Sequence, residues 1–134
     1  MLTELEKNAI RDHYRALSEN LPNFRPRTAQ REMIAAIANA FSRTKTQKEG
    51  EEAPTREGES IVVIEGPTGV GKSLAYLLAG GIMAQTRGKR LVVSSATVAL
   101  QEQLVGRDLP FVVEKSGLEL SFAIAKGRGR YLCP

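Results

Sequence analysis

The sequence has almost no cysteine and no long apolar run. Cys133 is the single cysteine among 134 residues, so no internal disulfide bond can form, and a reducing compartment is the simpler expectation. Apolar runs such as residues 61–64 are far shorter than the ~20 residues that span a bilayer. The polar start of the chain lacks the apolar core of a signal peptide. We therefore expect a cytoplasmic protein that does not enter a membrane.

The composition is that of a globular chain. Hydrophobic residues make up 42% and charged residues 25% of the sequence, which argues against a disordered or fibrous protein. A length of 134 residues fits one small domain and leaves no room for a second lobe of similar size. The formal net charge of +4 permits contact with phosphate groups, but 15 acidic side chains dilute that excess. The charge alone therefore does not identify a partner.

Two helices are predicted in the first third of the chain. Apolar residues recur at helical spacing through the first twenty positions and a turn follows, which predicts an N-terminal helix within residues 1–22 that packs on the rest. A second helix is predicted from near Thr28, after Pro26, to about Thr44. Residues 45–60 are charged and show no apolar period, which is typical of a solvated loop.

The following part of the chain alternates between apolar runs and helical patterns. Strands are predicted at 61–64, 91–94 and 120–125, and a continuous β-branched run such as the first is typical of a strand buried on both faces. Helices are predicted between these runs, and the order β-α-β-α-β predicts an α/β fold with a right-handed parallel sheet and flanking helices. Gly80 and Gly81 predict close packing or an early end of the first of these helices.

A glycine-rich loop after the first predicted strand carries the most specific motif. GPTGVGKS at residues 66–73 matches G-x-x-x-x-G-K-[ST] between a predicted strand and a predicted helix. Glycines let the backbone curl so that successive N–H groups face inward, and the following helix directs its positive end toward an anion. The predicted phosphate-binding residues are Gly66, Pro67, Thr68, Gly69, Val70, Gly71, Lys72 and Ser73. The alternative is a glycine-rich turn that binds nothing.

Lys72 and Ser73 are the predicted catalytic residues. The Lys72 ammonium should contact the β and γ phosphates as a point charge. The Ser73 hydroxyl should complete the oxygen shell of a Mg²⁺ ion, which prefers oxygen ligands and keeps several waters. The two side chains together would neutralise a bound triphosphate, so the sequence predicts binding of a nucleoside triphosphate with Mg²⁺.

Gln30 is a candidate for recognition of the base. It stands near the start of the second predicted helix, and its side-chain amide can donate and accept together, as the Watson–Crick edge of adenine requires. This pattern predicts selection of ATP. The alternative is a glutamine on the surface of an amphipathic helix.

Residues 94–103 are a candidate for contact with nucleic acid. This segment leaves a predicted strand and opens a helix, so its hydroxyl groups and free N–H groups can meet a phosphate. A plain helix cap by Ser95 or Thr97 is the alternative, and both roles are compatible.

A basic segment near the end of the sequence is a second such candidate. Lys126, Arg128 and Arg130 alternate with glycines and precede Tyr131, which predicts a mobile basic path for a DNA strand with one stacking ring. A charged surface loop is the alternative.

In their order, these motifs resemble those of superfamily 2 helicases. R-x-x-Q resembles the Q motif, GPTGVGKS resembles motif I, and T-x-x-L-x-x-Q resembles motif Ia; the residues concerned are Arg27, Gln30, 66–73, Thr97, Leu100 and Gln103. From about residue 23 onward, the amino-acid sequence is similar to that of the DinG branch, relatives of XPD. The resemblance implies a P-loop NTPase (RecA-like) fold, of which residues 23–134 would form the first part of motor lobe 1.

The resemblance also implies an activity and its partners. It implies an ATP-dependent 5′ to 3′ DNA helicase of DNA repair, a monomer that acts on single-stranded DNA and on forked or tailed duplexes. ATP would contact Arg27 and Gln30, and DNA would contact Ser94, Thr97, Gln103, Arg128 and Arg130. A [4Fe-4S] cluster would lie in an insert that starts within residues 126–134, with Cys133 as its first ligand. Since such a cluster needs four ligands, this chain cannot hold it alone.

The sequence lacks residues that the activity of the family requires. A motor ATPase needs an acidic pair after a second buried strand to hold Mg²⁺ and to polarise water. Residues 109–114 superficially resemble that motif, but Pro110 interrupts the run and Lys115 takes the place of the second acid. The chain therefore looks truncated, and we expect it to be marginally stable and inactive as a motor by itself. A P-loop kinase or regulatory NTPase is the alternative, and a module that only binds ATP or DNA is a third possibility.

Overall fold

Five α-helices form the framework of residues 1–44, 60–127 and 129, which the computed structural model describes. They are α1 (Glu4–Glu19), α2 (Thr28–Arg43), α3 (Lys72–Arg87), α4 (Val98–Gln103) and α5 (Leu109–Ser116), with a π-helical segment (Leu104–Asp108) between the last two. Within these described ranges, no helix is both long enough and apolar enough to cross a membrane.

Helix α1 begins at Glu4 because the residues around it form a capping box. The Thr3 hydroxyl accepts a hydrogen bond from the Glu6 backbone N–H at 3.2 Å, and the Glu6 carboxylate accepts one from the Thr3 N–H at 2.8 Å. Two N–H groups that have no partner inside the helix are thereby satisfied. The predicted N-terminal helix is present, and α2 likewise begins at Thr28 as predicted.

Two glycines in the left-handed conformation delimit α3. Gly71 (φ 87°) precedes its first residue and Gly88 (φ 59°) follows its last. The helix continues through Gly80 and Gly81, so the predicted early end is wrong and the predicted close packing is confirmed. A Cβ atom would lie 2.8 Å from the Leu91 side chain at Gly80, and 2.8 Å from the Leu120 side chain at Gly81. The segments that follow α3 therefore approach its backbone at these two positions.

The hydrophobic core is centred on α3. Its side chains Leu77, Leu78, Ala79 and Ile82 are at most 1% exposed. Helices α1, α2 and α5 all pack against it, and the core includes Met33 and Ile34 of α2 and Val112 of α5. Burial of these apolar surfaces is the main favourable contribution to folding.

An ion pair fastens the start of α1 to the end of α3. The Arg87 side chain donates from Nε to the Glu6 carboxylate at 2.7 Å and from a terminal nitrogen to the Phe41 carbonyl at 3.0 Å. Burial raises the pKa of Glu6, but the hydrogen bonds from Arg87 and Thr3 outweigh it, so the pKa lies below its ordinary value. The carboxylate is therefore stabilised in its charged form by the fold.

The end of α1 is attached to the end of α5. The His13 ring nitrogen Nδ1 lies 2.7 Å from the Ser116 carbonyl, and because a carbonyl only accepts, Nδ1 carries the hydrogen. The Asn20 side chain donates to the Lys115 carbonyl at 3.1 Å. These contacts satisfy carbonyl groups of the last turn of α5, which lack partners inside that helix.

The predicted α/β fold with a parallel sheet is wrong for the described residues, which contain no strand. The segments predicted as strands form no backbone hydrogen bonds with one another in the described ranges. These segments are residues 61–64, 91–94 and 120–125. Their side chains are not buried on two faces either, since Ile61 is 84% and Val92 is 85% exposed. A run of β-branched residues indicates a preference for extended backbone. A strand also requires a neighbouring strand that pairs with its backbone hydrogen-bonding groups. The RecA-like parallel sheet that the resemblance implied is therefore also absent from the described residues.

The segments that were predicted as strands border two cavities. One cavity of about 600 Å³ is lined by Ile61 and Val62 and also by Val92. A second of about 500 Å³ is lined by Val93 and by Phe122. Apolar side chains of these segments therefore border open volume and do not pack into a continuous core.

The helix predicted after the second apolar run is present as α4. It begins at Val98, and the chain then passes through the π-helical segment into α5. Residues 109–114 lie in α5, with Pro110 at its start, where a missing N–H is tolerated. The interpretation that this run only imitates an acidic strand motif agrees with its helical structure.

Candidate nucleotide-binding site

The glycine-rich loop leads directly into the first turn of α3. Gly69 (φ 80°) and Gly71 (φ 87°) both adopt the left-handed conformation that favours glycine. Between them, the Val70 side chain is 8% exposed and belongs to the hydrophobic core. The loop is thus anchored by one apolar side chain, while Pro67 and Thr68 on its tip are exposed.

Lys72 is exposed and folds back over the loop. Its ammonium donates to the Gly66 carbonyl at 2.6 Å and to the Pro67 carbonyl at 3.1 Å. Ser73 follows it on the first turn of α3 and is half-buried. The helix begins at Lys72, so the N–H groups at this end have no acceptor within the helix and point toward the loop side.

Gln30 lies beside the loop, buried, with 4% of its surface exposed. Its amide nitrogen Nε2 donates to the Val70 carbonyl at 3.4 Å and to the Gly71 carbonyl at 3.5 Å. A Cβ atom on Gly71 would lie 2.2 Å from that nitrogen, so the contact requires a glycine there. The alternative of a surface glutamine is wrong: the side chain is brought to the loop, and its amide faces loop carbonyls.

Arg27 reaches the same loop from one turn earlier in the chain. Its guanidinium donates to the Gly69 carbonyl. The residues of R-x-x-Q are separated by three positions, so both point to the side on which the loop lies. The structure therefore brings together the predicted residues Arg27 and Gln30 and the loop at 66–73.

Tyr14 of α1 also belongs to this cluster, although the sequence analysis assigned α1 only a packing role. Its hydroxyl donates to the Gln30 oxygen Oε1 at 3.3 Å. Its ring contacts Phe24 edge to face, with centroids 5.9 Å apart. A signal was present, because Tyr14 falls on the apolar face of α1 with Ile10 and Leu17, where a hydroxyl needs a partner.

Two of the predicted nucleic-acid residues border the same cavity as Ser73. Ser94 and Gln103 line the cavity of about 600 Å³ to which Ser73 also contributes. Thr97 caps α4 by accepting a hydrogen bond from the Leu100 N–H at 3.3 Å, so the capping role is confirmed. The Gln103 amide donates to the Asp108 carboxylate at 3.1 Å.

The basic segment is described only in part. Lys126 forms an ion pair with Glu102 of α4 at 2.9 Å. Arg128, Arg130 and Tyr131 lie outside the described residues. The predicted basic path is therefore tied to α4 at its first residue.

A [4Fe-4S] cluster does not fit the residues of this chain. Such a cluster is held by four ligands, usually thiolates, and the sequence has one cysteine. Cys133 lies outside the described residues, and residues 1–44, 60–127 and 129 contain no group of three or more His, Cys, Asp or Glu side chains that could hold a metal ion.

The chain is similar to bacterial DNA helicases. It is 45% identical over 133 residues, 99% of its length, to the ATP-dependent DNA helicase DinG of Escherichia coli. It is 44% identical to the protein of the same name from Salmonella typhimurium and 43% identical to that from Photobacterium profundum, again over 99% of the chain. The resemblance to DinG-type helicases stated from the motifs is confirmed. No protein-family model matches the chain.

The match covers only part of each relative. The chain spans 17% of the length of the Escherichia coli protein and 18% of the Photobacterium profundum protein.

Proposed function

From this similarity to DinG helicases, we propose that the chain forms the ATP-binding part of an ATP-dependent DNA helicase of the cytoplasm. The observation that carries the proposal is the convergence of Gln30, Arg27 and Lys72 on the loop at residues 66–73. By resemblance to the helicases, Arg27 and Gln30 belong to the Q motif, and Lys72 belongs to motif I. The relatives reported above are all named DNA helicases, which supports this function over a P-loop kinase or regulatory NTPase.

The loop would hold the phosphates through the N–H groups of its backbone and of the first turn of α3. Lys72 lies where its ammonium can exchange the carbonyls of Gly66 and Pro67 for phosphate oxygens. Ser73 would offer its hydroxyl to Mg²⁺, which needs few protein ligands because it keeps waters and phosphate oxygens. When bound, the ion would supply positive charge to the phosphates, and Ser73 would be one of its ligands.

DNA would approach on the side of the cavity at α4. Ser94 and Gln103 line that cavity together with Ser73, which supports a path for DNA adjacent to the nucleotide. The resemblance implies further contacts with DNA by Thr97, Arg128 and Arg130. Single-stranded DNA and forked or tailed duplexes are the proposed partners of a monomeric helicase. In a longer polypeptide, Cys133 would be one of four cluster ligands.

Titration of this chain with a fluorescent ATP analogue and Mg²⁺ tests the nucleotide site. Lys72→Ala should weaken binding by about 10- to 100-fold, because it removes hydrogen bonds from a charged donor. Lys89→Ala removes a lysine of equal charge at an exposed position beyond α3 and should leave the affinity unchanged. Equal affinity of the wild-type chain and Lys72→Ala would contradict the site assignment.

Duplex unwinding tests the helicase activity in a polypeptide that spans the full length of the relatives. We expect ATP-dependent separation of a duplex that carries a 5′ single-stranded tail, and loss of that activity in Lys72→Ala. Separation only of duplexes with a 3′ tail would exclude the proposed direction of movement.

A further inference from the structure

The Gln30 side-chain amide forms hydrogen bonds at both its nitrogen and its oxygen, and all of them require the same orientation of the amide. Nε2 faces the carbonyls of Val70 and Gly71, and Oε1 faces the Tyr14 hydroxyl. If the amide were turned over, its oxygen would face two carbonyl oxygens that can only accept. The tyrosine supplies the donor that the oxygen needs, because Gln30 is 4% exposed and has little access to water.

We propose that Tyr14 is a positioning residue that holds the Gln30 amide against the phosphate-binding loop and so sets the loop conformation that receives a triphosphate. This inference rests on the proposed function of the loop. It assigns a role in the nucleotide site to α1, which lies outside the segment that carries the helicase motifs.

Tyr14 is itself placed by contacts along the whole of α1. Its ring meets Phe24 edge to face, and Leu17, one turn further on, is completely buried. The ion pair of Glu6 with Arg87 and the hydrogen bond of His13 to the Ser116 carbonyl fix both halves of the helix. An ordinary tyrosine is already protonated at neutral pH, and burial raises the pKa of the Tyr14 hydroxyl further, so the group can donate.

The loop end of this chain of contacts is equally constrained. Gly71 has a left-handed backbone and no Cβ. A Cβ atom at this position would lie 2.2 Å from Gln30 Nε2, so the amide can lie here only beside a glycine. Gly71 is also the residue directly before Lys72 and the start of α3. A shift of the Gln30 amide therefore acts on the backbone that sets the direction of the first turn of α3 and of the Lys72 side chain.

Tyr14→Phe removes the hydroxyl and keeps the ring that packs on Phe24. The Gln30 oxygen then loses its donor, and the amide moves away from the loop to find another. We expect about two- to tenfold weaker binding of a fluorescent ATP analogue with Mg²⁺, the size of one hydrogen bond. Tyr76→Phe is the matched control, since the Tyr76 hydroxyl makes no hydrogen bond within the described residues. Its affinity should equal that of the wild-type chain.

A double-mutant cycle distinguishes positioning from packing. If Tyr14 acts through Gln30, Tyr14→Phe has no further effect on affinity once Gln30→Ala is present. An equal loss in both backgrounds, or no loss in the single variant, would overturn the assignment. Loss of the helical circular dichroism signal in Tyr14→Phe would also overturn it, because the hydroxyl would then serve the fold.

A second measurement does not depend on nucleotide binding. In ¹⁵N spectra of the chain without nucleotide, Tyr14→Phe should shift the Gln30 side-chain NH₂ resonances and speed their hydrogen exchange, and Tyr76→Phe should not. Unchanged Gln30 resonances in Tyr14→Phe would refute the inference. If neither the wild-type chain nor Lys72→Ala binds the analogue, the proposed function fails, and these spectra still decide the role of Tyr14.

Discussion

The Glu6 carboxylate and the Arg87 guanidinium lie 2.7 Å apart and join the first turn of α1 to the last turn of α3. The same carboxylate accepts a hydrogen bond from the Thr3 N–H, so it serves the helix cap and the ion pair together. Arg87 also stands at the carboxyl end of α3, where a positive charge interacts favourably with the helix dipole. One acidic side chain thus links local helix formation to the packing of α1.

The stability of the chain should fall in acid through Glu6. Its pKa is lower in the folded chain than the ordinary 4.5, so folding favours the charged form. This contribution is complete above pH 4.5 and is lost as the pH falls through the lowered pKa. Glu6→Gln should cost roughly 1–3 kcal/mol at pH 7. Melting curves from pH 3 to pH 7 should then show a weaker acid dependence in Glu6→Gln than in the wild-type chain.

Glu4→Gln is the control for this measurement. The Glu4 side chain is 74% exposed and pairs with Lys7 on the surface, so its loss should change stability little. An identical acid dependence in wild-type chain and Glu6→Gln would show that another group causes the transition.

Two left-handed glycines of the loop should respond differently to the same substitution. Gly69→Ala and Gly71→Ala both place an alanine at a positive φ, which costs roughly 1–2 kcal/mol. A Cβ at Gly69 meets nothing within 4 Å, whereas at Gly71 it lies 2.2 Å from the Gln30 amide. Gly71→Ala should therefore destabilise the chain more in urea unfolding. Equal midpoints for the two variants would argue against the Gln30 contact.

A similar comparison applies to two glycines within helical segments. A Cβ at Gly106 meets nothing within 4 Å, so Gly106→Ala should raise stability by up to about 1 kcal/mol. A Cβ at Gly80 would lie 2.8 Å from the Leu91 side chain, which must then move. We expect Gly80→Ala to be less stable than Gly106→Ala by about 1–3 kcal/mol. Thermal unfolding of both variants tests this order, and the reverse order would exclude close packing at Gly80.

The exposed apolar segments should promote self-association. Val63 is 91% and Val92 is 85% exposed, each beside another exposed apolar residue, and contiguous exposed apolar surface favours contact between molecules. Val63→Lys and Val92→Lys should lower the sedimentation-average mass at high protein concentration without loss of melting temperature. Ala35→Lys adds the same charge at an exposed position of α2 and should reduce association less. Equal effects of all three variants would assign the change to net charge alone.

The helices could be predicted from the sequence because their signals are local. Pro26 lies two residues before Thr28, where α2 begins, and glycines flank α3 on both sides. The strands could not, because a strand depends on a hydrogen-bonding partner that residue types do not specify. The run at 61–64 has the composition of a buried strand, and yet Val63 is almost fully exposed.

The candidate site could be predicted as a set of residues but not in its orientation. The spacing from Arg27 to Gln30 and the motif at 66–73 identified side chains that the fold brings together. That the Gln30 amide faces loop carbonyls depends on the hydroxyl of half-buried Tyr14 in α1, sixteen positions earlier. The helical periodicity predicts a packing role for α1, but it does not indicate which polar atom the Tyr14 hydroxyl meets.

The folded-back Lys72 ammonium has a consequence for the selectivity of the loop. Because it already donates to the carbonyls of Gly66 and Pro67, an incoming anion must replace two acceptors before any attraction is gained. A monatomic anion such as chloride can replace only one of these acceptors, whereas a polyphosphate presents several oxygens to one cation. If the loop binds a triphosphate as proposed, these two internal hydrogen bonds would favour such an anion over chloride.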